Sequence, residues 1–262
     1  MKLSIITINR NNCAGLSRTM DSVIRQTCKD FEWILIDGAS TDGSVDLIRQ
    51  NSQNMSYWVS EPDHGIYNAM NKGLRHAHGE YCLFLNSGDW LAKDNSLEEV
   101  LQILSGDIFV ARSLYYNGQK ITGKSRYLSQ GNFSLSTLAR ESLPHQSTFI
   151  KTDLLRKAGG YDETYRLLAD WALFLQTAIS GKTEFVFSDI CTSVYDTSGL
   201  SATQKNLFAE EKKRVMAIIP GFYNKDVPLA LSLQDVQASA FGRLCYRFLY
   251  RITTLIKRTS HS

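Results

Sequence analysis

Two short polar clusters carry carboxylates that could work on a nucleotide, and each follows an apolar run. The first is Asp37-Gly38-Ala39-Ser40-Thr41-Asp42-Gly43-Ser44. An Asp at a strand end can accept hydrogen bonds from a nucleobase or ribose. The same letters also serve as turn chemistry, with Ser40, Thr41 or Asp42 capping a following helix. The second is Asn86-Ser87-Gly88-Asp89. Its carboxylate can hold a hard cation through oxygen, and such a cation can bridge two phosphates. Alone, it also reads as a Ser-Gly-Asp turn. Between the clusters, Gly65 opens a helix whose free N–H groups could face an anion, with Asn71 and Lys72 placed to reach a diphosphate. A well-capped surface helix accounts for those residues too.

These groups need a scaffold. Apolar runs at 3–8, 31–36, 57–59 and 81–85 read as strands, and 14–26, 45–49 and 66–77 have helical spacing. The alternation predicts an α/β fold on a mostly parallel sheet flanked by helices. Ligands bind such sheets beyond the carboxyl ends of the strands. The clusters at 9–12, 37–44 and 86–89 are therefore expected to converge on one crevice. Beyond residue 105 the pattern loosens. A strand is expected over 107–111, a hairpin over 113–122 turning tightly at Asn117-Gly118, a helix over 170–180, and extended chain over 184–187 and 191–195.

The motifs come in a recognisable order. Leu3-Ser4-Ile5-Ile6-Thr7 is followed by Ile36-Asp37-Gly38-Ala39-Ser40-Thr41-Asp42-Gly43-Ser44. Then comes Ser60-Glu61-Pro62-Asp63-His64-Gly65-Ile66-Tyr67-Asn68-Ala69-Met70-Asn71-Lys72-Gly73. Gly79-Glu80-Tyr81 leads to Leu85-Asn86-Ser87-Gly88-Asp89. Pro144-His145-Gln146-Ser147, Gly159-Gly160-Tyr161-Asp162-Glu163 and Leu168-Ala169-Asp170-Trp171 close the series. In order and spacing this set resembles family 2 glycosyltransferases of the GT-A fold, and within them the bacterial colanic-acid type that builds exopolysaccharide or O-antigen repeat units.

The resemblance implies a GT-A-like, Rossmann-like catalytic domain over 1–200, and the spacing beyond it predicts a helical C-terminal extension over 201–262. It implies transfer of a sugar from a nucleotide-sugar donor, a UDP-sugar, to a lipid-linked or growing polysaccharide acceptor at the cytoplasmic face of a bacterial inner membrane. It assigns Thr7, Asn9 and Asp37 to the nucleotide pocket, with Asn71 and Lys72 at the diphosphate. Asp89 becomes the surviving acid of an Asp-x-Asp motif for a divalent metal, Mn2+ or Mg2+. Asp170 becomes the general base, with His145, Gln146 and Trp171 bordering the acceptor. A carboxylate suits that task, and attack from the face opposite the leaving group inverts the anomeric centre. Without the resemblance, Asp170 reads as a helix N-cap ahead of Trp171. Two departures stand out: Gly38 replaces the family's second Asp in Asp-Asp-Gly-Ser, and the first acid of the metal motif is lost within Asn86-Ser87-Gly88. They motivate one alternative, a degenerate subunit that binds sugar nucleotides without turnover. A nucleotidyltransferase on a related sheet is the other.

Composition narrows the field further. At 43% hydrophobic and 21% charged, the 262 residues are neither disordered nor fibrous. A net charge of +3 is too balanced for a general nucleic-acid binder. The charge is uneven, because 236–262 holds Arg243, Arg247, Arg251, Lys257 and Arg258 and no acid. The 241–258 segment reads as a basic amphipathic helix suited to peripheral contact with an anionic membrane, or to packing on the catalytic domain with its arginines outward. Five scattered cysteines form no CxxC pair, so reduced thiols are expected. The first apolar run is too short for a signal peptide, and no stretch is long and apolar enough to span a bilayer. Gly118-Gln119-Lys120-Ile121-Thr122-Gly123-Lys124-Ser125 matches a phosphate-binding loop letter for letter. It lacks the buried strand before and the helix after that such a loop requires. His76 and His78, two apart on one helix, read as surface residues.

Overall fold

The computed structural model describes residues 1–197 and 204–219. Its organising feature is a parallel ladder. β1 (Leu3–Asn9) and β2 (Phe31–Asp37) pair along their whole length, from Leu3 opposite Phe31 to Asn9 opposite Asp37. β3 (Tyr57–Ser60) pairs with β2 and ends with Ser60 opposite Asp37. Asn9, Asp37 and Ser60 are thus brought side by side at the carboxyl edge by register alone. β4 (Tyr81–Phe84) pairs in parallel with the other side of β1. The chain therefore leaves β1 in one direction and returns on the other, which makes the end of β1 a switch point where an open sheet forms a crevice.

The far half of the sheet is mixed. β4 is followed across the sheet by β8 (Thr148–Lys151), β6 (Ile108–Tyr116), β9 (Phe185–Asp196) and β5 (Trp90–Leu91), and β7 (Ile121–Lys124) pairs with β6. β6 and β9 are parallel, whereas β4–β8, β6–β8, β5–β9 and β6–β7 are antiparallel. The expected pieces at 184–187 and 191–195 are one strand, β9, whose pairing to β6 slips in register near Arg112. The hairpin turn occupies 117–120, closed by Asn117 N donating to Lys120 O at 3.2 Å and by the Asn117 side chain accepting the Gln119 and Lys120 N–H groups. The letters of the phosphate-loop motif fall on this loop and on the exposed β7, with no helix after Ser125.

The helices are α1 (Cys13–Ile24), α2 (Ser44–Gln50), α3 (Ile66–His76), α4 (Ser96–Leu101), α5 (Leu135–Arg140), α6 (Thr152–Lys157), α7 (Ala169–Ile179) and α8 (Lys205–Met216). Strand alternation explains how they pack. Leu3, Ile5, Trp33, Leu35, Tyr81 and Leu83 point to one face and form a core with Leu16, Met20 and Val23 of α1 and Leu97 and Val100 of α4. α3 packs on β1 and β2, and a Cβ at Gly73 would lie 2.4 Å from Ile6 Cγ2. That close approach lets the amino end of α3 reach the crevice.

The opposite edge of the sheet holds a buried acid, Glu32, 5% exposed. It accepts Ser4 Oγ at 2.6 Å, Gly79 N at 3.0 Å, the His78 backbone N–H and the His78 ring. Burial alone would raise its pKa. The hydrogen bonds outweigh burial and hold the carboxyl below its ordinary 4.5. An acid with a lowered folded pKa stabilises the fold above its unfolded value and loses that contribution as the pH falls through the folded one. Glu32→Gln is expected to cost about 2–4 kcal/mol near neutral pH. It should also flatten the loss of stability below pH 4.5. Urea unfolding at neutral and acid pH checks this, and an unchanged pH dependence would contradict it.

Two compact units divide at Met1–Val215 and Met216–Ser262. The first takes in most of α8. The basic segment 241–258 lies outside the described residues. Among the described residues no helix is long and apolar enough to cross a membrane.

Candidate active site

The three strand-end clusters meet. Asn9 Nδ2 donates to Asp37 Oδ1 at 2.8 Å, and Asn11 N to Ser40 Oγ at 2.8 Å. Thr41 N donates to Asn11 Oδ1 at 2.8 Å, which joins the second loop to the first. Asn12 Nδ2 donates to Ser87 O at 3.0 Å, and Thr19 Oγ1 to Asp89 O at 2.7 Å, which joins both to the third. The expected convergence on one crevice is what the chain forms.

Asp37 is fully buried. Besides Asn9, it accepts Ser40 N at 2.9 Å, Ser40 Oγ at 2.6 Å and Ser60 Oγ at 2.6 Å. These contacts hold Ala39 at φ +56°, a left-handed conformation unusual for a residue with a Cβ. Asp37 is therefore the anchor of this loop. Asp42 does turn chemistry, accepting Cys13 N at 2.8 Å and Ser44 Oγ at 2.6 Å at the starts of α1 and α2. Gly38 has a spatial reason: a Cβ there would lie 2.3 Å from Asp63 Oδ2, so the Asp63 carboxylate occupies the room. Asp63 is in turn 3.5 Å from Arg10.

Across the crevice, Asp170 sits in the first turn of α7, 8% exposed. Tyr67 Oη donates to its Oδ1 at 2.9 Å, and His145 Nδ1 lies 3.4 Å from its Oδ2. His145 Nε2 lies 3.3 Å from Asn86 Nδ2. This network carries the residues from α3, the 145–147 turn and α7 to the loop that bears Asp89. The N-cap reading of Asp170 does not hold, because Leu168 occupies the cap position. Burial, and then the Asp170 charge, hold the Tyr67 hydroxyl well above its ordinary pKa, so it remains a donor. Burial alone would lower His145. The hydrogen bond and charge of Asp170, with Asp89 beyond, outweigh it and raise His145 above 6.5. Burial pushes the Asp89 carboxyl up to about 7, against the opposing pull of His145 and of the Asp196 N–H at 3.0 Å.

A model of glycosyl transferase family 2 matches residues 4–158. The chain belongs to this family. An uncharacterised glycosyltransferase of Mycobacterium tuberculosis is 32% identical over 203 residues, 76% of this chain and 77% of the relative. A PGL/p-HBAD biosynthesis glycosyltransferase of the same species is 34% identical over 172 residues, 64% of this chain and 66% of its own. The fold is that of Staphylococcus aureus TarS 1–349 in complex with UDP-GlcNAc, with a TM-score of 0.64 and 17% identity over 86% of this chain and 72% of that one. It is also that of the mannosyltransferase PcManGT from Pyrobaculum calidifontis in complex with GDP-Man and Mn2+, with a TM-score of 0.64 and 14% identity over 97% and 80%. The match covers 43% of a longer TarS chain.

Four of the expected glycosyltransferase site residues are engaged elsewhere. Thr7 is fully enclosed, its hydroxyl accepting the Trp33 indole N–H at 3.0 Å, because its strand face is the core face. Asn71 holds the Tyr161 backbone at both N–H and C=O, each at 2.8 Å, and donates to Glu163 Oε1 at 2.9 Å. Lys72 lies 2.6 Å from Glu61 Oε1 and donates to Pro62 O at 2.8 Å, so its ammonium is paired with the loop after β3. Trp171 is 2% exposed and donates its indole N–H to Leu138 O at 2.6 Å, tying α7 to α5. Gln146 is buried in the turn that carries His145. That turn rests on buried hydroxyls, with Ser147 Oγ 2.6 Å from Ser193 Oγ and 2.9 Å from Ser113 Oγ.

The residue type of Tyr67 gives no hint of its place in the site, because it falls on the apolar stripe of α3 with Met70 and Leu74. Its ring packs on Tyr161, centroids 5.4 Å apart, so the Asn71 clamp on Tyr161 also steadies Tyr67. Tyr67→Phe is expected to lower kcat about tenfold while UDP affinity stays near wild type, and to cost about 1–3 kcal/mol of stability because a buried carboxylate oxygen loses its donor. Unchanged kcat would show that the hydroxyl does not orient Asp170.

Proposed function

We propose that this glycosyltransferase transfers a sugar with inversion from a UDP-sugar to a lipid-linked or growing glycan. The reading is carried by the Asp170 carboxylate, held by Tyr67 and His145 in the crevice that also receives Asp37 and Asp89. Asp170 takes the proton from the attacking hydroxyl. Tyr67 and His145 hold its two oxygens so that it is aimed before the acceptor arrives. The Asp37 loop, with Asn9, frames the nucleoside, and His145 and Gln146 border the acceptor. The TarS complex with UDP-GlcNAc supports a UDP-sugar, and the PcManGT complex with GDP-Man supplies the competing donor.

A divalent cation fits the loop after β4. Among the described residues no cluster of three or more His, Cys, Asp or Glu could hold a metal alone. Asp89 is a buried carboxylate, and Asn86 Oδ1 is a buried oxygen without a hydrogen-bond donor. Two such oxygens suit a hard cation whose remaining ligands are phosphate oxygens and water. Such an ion, when bound, would offset the charge that gathers on the departing diphosphate.

Calorimetric titration with UDP, GDP and CMP, each with and without Mn2+ or Mg2+, tests the donor. Metal-dependent UDP binding is expected. Tight GDP or CMP binding would change the donor, and no nucleotide binding by folded protein would overturn the reading. Peripheral contact with an anionic membrane through Arg243, Arg247 and Arg251 belongs to the same proposal. It is tested by sedimentation with anionic vesicles before and after truncation at Gly242, and equal sedimentation would contradict it.

A further inference from the structure

We infer that Glu211, on a helix beyond the segment matched by the family model, is a positioning residue for Asp170. The inference rests on Asp170 being the base. The chain just before α7 presents three consecutive backbone N–H groups to one carboxylate. Glu211 Oε1 accepts Arg166 N at 2.6 Å, and Oε2 accepts Leu167 N at 2.9 Å and Leu168 N at 3.0 Å. Glu211 is 2% exposed, and Leu168, at the N-cap of α7, makes no side-chain cap of its own. The N–H at the N-cap position and the two before it are therefore held by a carboxylate more than forty residues away in sequence.

Neighbours on α8 grip the same strip. Arg214 donates to Thr164 O at 3.2 Å and to Thr164 Oγ1 at 2.7 Å, and its guanidinium lies 4.1 Å from the centre of the Tyr165 ring. Lys212 Nζ lies 5.3 Å from the centre of the Trp171 ring. α8 thus holds 164–171 along its length, and Asp170 lies inside that strip. Removing the carboxylate leaves three N–H groups without an acceptor in a buried place, each at a cost of about 1–3 kcal/mol. The segment escapes the cost only by moving, and a base displaced by about 1 Å loses on the order of a hundredfold in rate.

Glu211→Gln tests this in the full-length protein. The amide keeps the volume but turns one NH2 toward N–H donors. Nucleoside diphosphate release is measured with UDP-GlcNAc, UDP-glucose, UDP-galactose and GDP-mannose, alongside calorimetric UDP binding. The expected result is kcat lower by about tenfold or more with UDP Kd within about twofold of wild type. Wild-type kcat, or kcat and UDP affinity falling together, would overturn the inference. If Glu211→Gln does not fold, Arg214→Ala decides. A fall in kcat of about threefold at unchanged UDP Kd is expected, and wild-type kcat would overturn the inference. Inactive Asp170→Asn beside fully active Glu211→Gln would remove this inference alone. Active Asp170→Asn would remove the base assignment beneath it.

Discussion

Asp170→Asn is expected to reduce sugar transfer by about a thousandfold, within the range for loss of a general base, while UDP binding stays near wild type. The substitution preserves the shape of the side chain. Its amide can still accept from Tyr67 through the carbonyl oxygen, so the 2.9 Å contact keeps a partner. What is lost is the ability to take a proton from the acceptor hydroxyl. Donor binding belongs to other elements, the loops after β1, β2 and β4, and should be spared. Initial rates and calorimetry on the same preparation check both halves. Full transfer by the Asp170→Asn variant would remove Asp170 from the chemistry. Parallel loss of UDP binding would recast it as a residue of structure.

Asp89→Ala is expected to fail differently. Transfer should fall by about a hundredfold or more, and UDP affinity in Mn2+ by about tenfold, or about 1.4 kcal/mol. In EDTA, wild type and variant should bind UDP alike. The reason lies in the burial of Asp89. Burial pushes the carboxyl up to about 7 and so disfavours its charged form near neutral pH, and a divalent cation bound there would favour that form again. The variant should therefore lose the increase in Tm that Mn2+ with UDP gives the wild type. Equal Mn2+ dependence of binding and Tm in both proteins would place the cation elsewhere or dispense with it.

Much of this site was legible from local signals. β1, β2 and β4 show themselves as apolar runs halted by polar letters, and parallel register then places Asn9, Asp37 and Ser60 side by side. Strand period alone also shows that Thr7 and Asn9 share a face. It does not show that this face is filled by Trp33 as far as Thr7. Asn71 and Lys72 follow one another on α3, and helical spacing sends them in different directions. Which partner each meets depends on the 159–163 loop and on Glu61, and the residue types carry no trace of either. The far half of the sheet was harder because β8, four residues long, leaves almost no periodic signal. Glu211 was hidden by its neighbours. Within Glu210-Glu211-Lys212-Lys213 it looks like one more solvated charge, and only tertiary packing separates the buried acid from the exposed ones.

The central claim is that Asp170 activates an acceptor on the face opposite the departing nucleotide. Proton NMR of the glycoside formed by the wild-type protein from a UDP-α-linked sugar and an acceptor alcohol tests it most directly. A β glycoside is the result the account predicts. An α glycoside would contradict it.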